Sequence, residues 1–218
     1  MPLRLGDIAP DFLAQTTKGD IQFHQWKEGT WAILFSHPED FTPVCTTELG
    51  RVAKLAPEWE KRNVKVVGLS CNTLESHEQW IADIDETQNT SVQFPIIADA
   101  ERKIATVYDM LDKQDATNVD KKGMPLTVRS VFVIDPKNVI RLIITYPAST
   151  GRNFDEILRV VDSLQLADKK KIATPEGWRG LQDEVIVHNS VNNEEAAKLF
   201  PGFKVIKPYL RTVKLNDA

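Results

Sequence analysis

The chain has 218 residues, of which 42% are hydrophobic and 27% are charged, a composition that supports a globular domain with its own core. Its formal net charge of -4 offers no electrostatic attraction to nucleic acid or to an anionic membrane, so we expect neither as a partner. The only cysteines are Cys45 and Cys71, which excludes a disulfide-built secreted scaffold and favours a reducing compartment, so we expect a cytoplasmic protein.

Short segments rich in β-branched and apolar residues predict the strands of the fold. They are Trp31–Phe35, Val64–Ser70, Phe94–Ala98, Val128–Ile134 and Val139–Tyr146. The last two flank a stretch with turn chemistry, residues 135–138, which predicts an antiparallel hairpin. All of these runs are too short to span a bilayer, and the N-terminal residues lack the apolar stretch of a secretory signal.

Helical patterns lie between the strands. They cover Pro43–Arg62 with a bend at Pro57, a segment that starts at the N-cap candidate Asn72, Glu101–Met110, and a segment from Asn153. Strands that alternate with helices and end in a hairpin and a last helix predict an α/β fold with a mixed central sheet. The order is compatible with a thioredoxin-like arrangement.

A change of composition after Leu166 predicts a second, smaller domain. The basic run Lys169–Lys171 and the Pro and Gly residues after it indicate a linker, and the remainder predicts a small α+β extension. Its elements are a strand at Val185–His188, a helix at Glu194–Phe200 and a strand near Tyr209–Leu215. We therefore expect domains at 1–166 and 167–218. Because about 45 residues are marginal for an independent core, we expect the extension to pack on the main domain or to contribute to a homodimer contact.

The segment around Cys45 carries the strongest chemical signal in the sequence. Thr42 is a good helix N-cap, Pro43 suits the first helical position, and Cys45 then falls at the third. Unpaired backbone N–H groups and the positive end of the helix dipole favour the thiolate at that position. The same N–H groups and the Thr42 hydroxyl are within reach of an oxygen atom of a bound ligand.

Nearby carboxylates act against a reactive thiol. Glu39, Asp40 and Glu48 disfavour the thiolate, so a cation must approach Cys45 from elsewhere in the fold. Arg129, at the start of a strand expected to be buried, is the first candidate, and Arg152 is the second. The sulfur must also be reachable from solvent. Spacing alone leaves open the alternative that Cys45 is a small buried hydrophobe.

The stretch PEDFTPVC resembles the active-site signature of peroxiredoxins, with Pro38, Thr42 and Cys45 at its defining positions. The wider stretches SHPEDFTPVCTTELG, PLTVRSVFVID and YPASTGRNFDEILRVVDSLQL resemble the one-cysteine, peroxiredoxin-6-like subfamily. The later ATPEGW and KPYLR are similar to the C-terminal extension of that subfamily. The resemblance covers nearly the whole chain.

This resemblance implies a thioredoxin-like fold and a thiol-specific peroxidase that needs no cofactor and no metal. Cys45 would attack hydrogen peroxide or an organic hydroperoxide, and an external thiol would reduce the resulting sulfenic acid. Glutathione, a glutaredoxin and the thioredoxin system are the reductants considered. Thr42 and Arg129 would orient and polarise the peroxide, and Pro38 would shield the site from water. His37, Val44 and Arg152 match positions near the pocket.

Several alternatives remain open beside this interpretation. Cys45 could serve as a redox sensor in a signalling or holdase protein, whereas the lack of any Cys-x-x-Cys argues against a disulfide oxidoreductase. Cys71 is expected to be a partly buried structural thiol, with an internal partner for Cys45 as the rival interpretation. Surface or packing roles are expected for the other histidines, His24, His77 and His188, because their spacing resembles no metal site.

A phospholipase activity is credited to some relatives, and the sequence argues against it here. The corresponding stretch, residues 28–32, has Thr30 in place of the serine and Ala32 in place of the second glycine. His24 is present, whereas Lys137 or Asn138 stands where the third member, an aspartate, is expected. A nucleophile elbow needs small flanking residues for its strained turn, so we expect little or no lipase activity.

Overall fold

The computed structural model describes residues 2–215. The chain divides into two compact units, and the boundary along the chain lies between Phe154 and Asp155. The strands are β1 (Leu13–Ala14), β2 (Ile21–Gln22), β3 (Trp31–Ser36), β4 (Val64–Ser70), β5 (Ile96–Ala98), β6 (Arg129–Ile134), β7 (Ile140–Tyr146), β8 (Ile172–Ala173), β9 (Glu184–Val187), β10 (Lys204–Lys207) and β11 (Leu210–Lys214). The helices are α1 (Phe23–Trp26), α2 (Pro43–Lys54), α3 (Ala56–Lys61), α4 (Leu74–Gln88), α5 (Lys103–Val107), α6 (Phe154–Lys169) and α7 (Asn193–Leu199).

The first unit is built on a five-stranded sheet with the strand order β5-β4-β3-β6-β7. The pairs β3–β4 and β4–β5 are parallel, whereas β6 runs antiparallel to both β3 and β7, so the predicted mixed sheet is confirmed. The predicted hairpin joins β6 to β7. Its turn is closed by Asp135, whose Oδ1 accepts the backbone N–H groups of Lys137 and Val139, and by Asn138 at φ 65°.

Strand β3 is buried along its whole length because both faces of the sheet are covered. Ala32 and Leu34 pack into a core that also holds Phe23 of α1 and Tyr108 after α5. Successive side chains of a strand point to opposite faces, so the Phe35 ring lies on the other face, where it contacts Phe154 at 5.6 Å between centroids. The continuous apolar runs of the sequence therefore correspond to strands covered on two sides.

The predicted helices have somewhat different limits in the structure. The long segment predicted from residue 43 to residue 62 is interrupted earlier than expected, at Leu55, and continues as α3. The N-cap of α4 is Thr73, whose Oγ1 accepts the N–H of Ser76 at 3.3 Å, and not Asn72 as predicted. The Asn72 side chain instead accepts the backbone N–H of Asp40, a contact that local sequence could not indicate.

The second unit has a four-stranded antiparallel sheet with the order β10-β11-β9-β8. Its core contains Trp178, Val185, Val187 and Val213. Strands β8 and β10 were not predicted, and helix α6 continues through part of the basic run that was interpreted as a linker. The unit boundary lies at the start of α6, whereas the boundary expected after residue 166 lies near the end of that helix. None of the helices within residues 2–215 is long and apolar enough to cross a membrane.

Candidate active site around Cys45

Cys45 lies in the first turn of α2, at the third helical position. Thr42 is the N-cap residue, with extended φ and ψ of -114° and 145°, and Pro43 opens the helix. Thr46 makes the first intrahelical bond, from its N–H to the Thr42 carbonyl at 3.0 Å. The predicted cap differs in one respect, because the Thr42 hydroxyl donates to the Glu39 carbonyl at 2.8 Å and accepts no helix N–H. The first-turn N–H groups therefore remain without a side-chain cap from Thr42.

Arg129, the first residue of β6, lies against the Cys45 sulfur. Its Nη1 is 3.3 Å from Sγ, and the guanidinium is held on its other side by bonds from Nε and Nη2 to the Ala148 carbonyl at 2.9 and 2.7 Å. The residue is 3% exposed. A cation that touches the sulfur and is fixed by a backbone acceptor stabilises the thiolate over the thiol.

Glu48 joins this arginine to Arg152. Glu48 Oε2 accepts from Arg129 Nη1 and Arg152 Nη2, both at 2.7 Å. Glu48 Oε1 accepts the backbone N–H and Nε of Arg152 at 2.7 and 2.9 Å. Burial opposes ionisation of Glu48, but the hydrogen bonds and charge of Arg152, with the charge of Arg129, hold its pKa below the usual value. Two guanidinium groups and one carboxylate leave one net positive charge beside the sulfur.

The sulfur itself is covered. Cys45 is 0% exposed, which differs from the expectation of an open thiol. Pro38 is buried and Val44 is half-buried, and a Cβ at Gly151 would lie only 3.3 Å from Val44 Cγ1, so the segment after β7 packs closely on the first turn of α2. A peroxide is larger than a water molecule, so it reaches the sulfur only when atoms that cover it move.

A second buried cluster consists of His37 and Asp40, in the loop between β3 and α2, and His77 of α4. His37 Nε2 is 2.8 Å from Asp40 Oδ1, and His77 Nδ1 is 2.7 Å from Asp40 Oδ2. All three side chains are 0% exposed. The Trp80 ring packs on His37 with centroids 5.1 Å apart. The structure therefore places His37 in hydrogen-bond contact with Asp40, and its contacts within residues 2–215 do not include a hydrogen bond to Cys45.

One atom from each of these three residues lies within 4.8 Å of the others, a spacing that is compatible with a metal ion. The observed contacts are nevertheless hydrogen bonds in length, and each carboxylate oxygen already has an imidazole partner. We interpret the cluster as a proton-sharing network.

Sequence reasoning missed the contributions of His77 and Glu48. His77 was expected to have a surface or packing role, and Glu48 was treated only as a charge unfavourable to the thiolate. The amphipathic pattern of α4 places His77 on its buried side, but no local signal indicates that Asp40, 37 residues earlier in the chain, is its partner.

Cys71 differs from Cys45 in its environment. Both cysteines are free, and Cys71 is half-buried beside the apolar core of the first unit. Burial raises the pKa of the Cys71 thiol to about 11, so this residue is almost entirely protonated at neutral pH.

The residues at the position of the lipase site in some relatives make backbone contacts. The Thr30 hydroxyl donates to the Lys27 carbonyl at 2.7 Å, and His24 Nε2 is 2.8 Å from the Ala9 carbonyl oxygen. The buried Lys27 ammonium donates to Asp135 O and to Asn138 Oδ1, both at 2.8 Å. The Lys27 ammonium and the Asp135 carbonyl therefore lie beside Asn138, one of the two positions at which an aspartate was expected from the resemblance.

Comparison with known proteins identifies the family of the chain. The AhpC/TSA family matches residues 5–143, and the C-terminal domain of 1-Cys peroxiredoxin matches residues 163–202. Human peroxiredoxin-6 is 54% identical over 203 residues, which cover 91% of this chain and 89% of the human protein. The crystal structure of a cysteine-to-serine mutant of peroxiredoxin 6 from Arenicola marina superimposes with a TM-score of 0.93 at 44% identity, covering 99% of this chain and 100% of that one.

A yeast mitochondrial 1-Cys peroxiredoxin, whose structure was studied for thiol resolution via glutathione/thioredoxin systems, has a TM-score of 0.90 at 52% identity. The superposition covers 98% of this chain and 100% of the yeast chain. These likenesses confirm the expected thioredoxin-like α/β fold and the expected peroxidase function with an external thiol. The chain therefore belongs to the AhpC/TSA family, in its one-cysteine peroxiredoxin branch, and is a thiol peroxidase that depends on an external thiol.

Proposed function

We propose that Cys45 is the residue that reduces the peroxide, with Arg129 and Thr42 as the groups that hold the substrate. The Cys45 thiolate attacks one oxygen of the O–O bond, the sulfur–oxygen bond forms as the O–O bond breaks, and the other oxygen leaves with a proton as water or alcohol. Two equivalents of an external thiol then return the sulfenic acid to the thiol, releasing one water and one disulfide. The 3.3 Å contact between Arg129 Nη1 and Cys45 Sγ at a helix N-terminus carries this proposal.

The roles of the surrounding residues follow from their positions. Arg129 stabilises the thiolate and the negative charge that develops on the leaving oxygen, because its guanidinium is buried and held by Ala148 and Glu48. A small rotation would turn the Thr42 hydroxyl from the Glu39 carbonyl toward a bound peroxide. Pro38 and Val44 exclude water, and Arg152 fixes Glu48.

The assignment is tested by stopped-flow oxidation of the purified protein and by mass spectrometry of Cys45 after peroxide treatment. Cys45→Ser should abolish oxidation, whereas the matched Cys71→Ser variant should keep it. Peroxidase turnover by Cys45→Ser would overturn the assignment. Oxidation of Cys45 without recycling by any reductant would favour the alternative of a redox sensor.

We also propose hydrogen peroxide and small organic hydroperoxides as the substrates and glutathione or thioredoxin systems as the reductants. The similarity to the yeast protein, whose structure was studied for thiol resolution via those systems, supports this choice. Steady-state turnover with glutathione plus a glutaredoxin or transferase, compared with thioredoxin plus its reductase, identifies the reductant. The cytoplasmic location stays a prediction, since the yeast relative is described as mitochondrial.

A homodimer is proposed as the assembly. Edge strand β10 of the second unit leaves Val205 and Ile206 about half exposed, at 53% and 54%, and edge strand β7 of the central sheet carries the half-buried Ile144. Apolar edges of this kind are suited to pairing with a second copy. Analytical ultracentrifugation should give a dimer, weakened by Ile206→Asp or Ile144→Asp. A monomer at micromolar concentration would contradict the proposal.

A further inference from the structure

The buried cluster of His37, Asp40 and His77 has a hydrogen-bond pattern that fixes the charge of each member. Burial opposes ionisation of Asp40, but the hydrogen bonds from both histidines hold its pKa well below the usual range, so Asp40 is a carboxylate. Burial lowers the pKa of His37 despite its bond to Asp40. His37 is therefore neutral, donates from Nε2 to Asp40, and keeps a lone pair on Nδ1, which is buried and has no hydrogen-bond partner among residues 2–215.

His77 must carry two protons if both of its hydrogen bonds are to form. Its Nδ1 faces the Asp40 carboxylate at 2.7 Å, and its Nε2 faces the Ile97 carbonyl at 3.1 Å. Both partners only accept hydrogen bonds, so both ring nitrogens of His77 have to donate, and only the imidazolium does so. The charge also cancels that of Asp40, and the fully buried cluster is then neutral overall, which removes the cost of an unpaired buried charge.

The same cluster holds the loop that starts the catalytic helix. Asp40 Oδ2 accepts from the Ser76 hydroxyl at 2.7 Å, and the Asp40 N–H donates to Asn72 Oδ1 at 3.1 Å, which ties the loop to α4 and to the turn before it. The next residue, Phe41, has φ 54°, a left-handed conformation that a bulky residue adopts only when its surroundings impose it. Thr42 follows as the N-cap of α2, and Cys45 is then in the first turn.

We propose that Asp40 and His77 are positioning residues for the peroxidase reaction, with His77 held as a buried imidazolium that fixes the loop and thereby the Cys45 turn. This inference rests on the proposed role of Cys45. The charged or titratable groups that face the pair are His37, whose ring centroid is 6.0 Å from that of His77, and Arg152, whose charge acts on His37. A His77 ring with a single proton can make only one of these two bonds, and the loop would then be held less firmly.

The charge of His77 is measured directly by long-range proton–nitrogen NMR on the reduced, histidine-labelled full-length protein. The His77 ring signals are identified by their loss in His77→Gln. We expect the pattern of an imidazolium, with two protonated nitrogens, at pH 7. A neutral tautomer would overturn the proposal, as would a stoichiometric metal ion found by elemental analysis, which would make the three side chains ligands.

The consequence for reactivity is measured as the rate constant of Cys45 oxidation by hydrogen peroxide over a range of pH. His77→Gln and Asp40→Asn should react about 10-fold or more slowly than the wild type, because small displacements of reacting groups have effects of this size. In Asp40→Asn the loss of rate should be accompanied by a change in the NMR pattern of the His77 ring, because an amide replaces the carboxylate that bonds to Nδ1. A role in stability alone would leave that pattern unchanged.

The matched control is His24→Gln, which removes a half-buried histidine of the same unit whose ring bonds to the Ala9 carbonyl, outside the cluster. It should leave the profile unchanged. A folded His77→Gln variant with the wild-type profile refutes the positioning role while Cys45→Ser still tests the nucleophile separately. If His77→Gln does not fold, the His77 signals are identified instead by their change in Asp40→Asn. The NMR measurement on the wild type then tests the charge of His77.

Discussion

Replacement of Glu48 by glutamine separates the stabilising and the chemical roles of the arginine pair. The Glu48 side chain is 3% exposed and accepts four hydrogen bonds from Arg129 and Arg152, at 2.7 to 2.9 Å. An amide has one acceptor oxygen, so at least the bonds to the other oxygen are lost and an NH2 group faces guanidinium donors. Removal of one partner from a buried ion pair costs about 3–5 kcal/mol, because the remaining charges are left uncompensated.

We therefore expect Glu48→Gln to lower the free energy of unfolding by about 3–5 kcal/mol, measured from the urea midpoint of tryptophan fluorescence. The matched control is Glu58→Gln, in a partly exposed pair with Arg62, which should change stability little. The Glu48 variant also removes a negative charge near the sulfur, and its rate of Cys45 oxidation in stopped flow reports the effect of that charge. A loss of unfolding free energy below about 1 kcal/mol would refute the reasoning, because ion pairs that are exposed to water contribute no more than this.

Other predictions follow from the same contacts. The pKa values of Asp40 and Glu48 are lowered in the folded state, so their contribution to stability is complete above their ordinary values, near 4. It is lost as pH falls, and urea midpoints between pH 7 and pH 3 should show this loss, with a shallower decline in Glu48→Gln. Arg129→Gln should slow Cys45 oxidation about 100-fold in stopped flow, because it removes the buried cation at the sulfur; an unchanged rate would exclude its role. Cys71→Ala should leave the peroxide oxidation rate unaltered, and a clear fall would revive its role as a partner of Cys45. Pure protein should hydrolyse phospholipid vesicles little or not at all; activity that Thr30→Ala removes would contradict this expectation.

Much of the fold could be predicted because its signals are local. Strand Val64–Ser70 was predicted with the observed limits, and β3, β6 and β7 within one residue at each end, since buried strands form continuous apolar runs bounded by turn residues. The short elements before β3 and strands β8 and β10 were missed, because two- to four-residue strands depend on their partners and carry little pattern of their own.

The sequence by itself determined that Cys45 occupies the third position of a helix, because an N-cap threonine and a proline at the first position act within one turn. Tertiary structure alone decided the electrostatics around it. Arg129 reaches Glu48 across 81 residues of chain and Arg152 reaches it across 104, while His77 meets Asp40 across 37. Such contacts depend on how the strands and helices pack. Nothing in the neighbouring residues records whether a carboxylate will face a thiol, an arginine or a histidine.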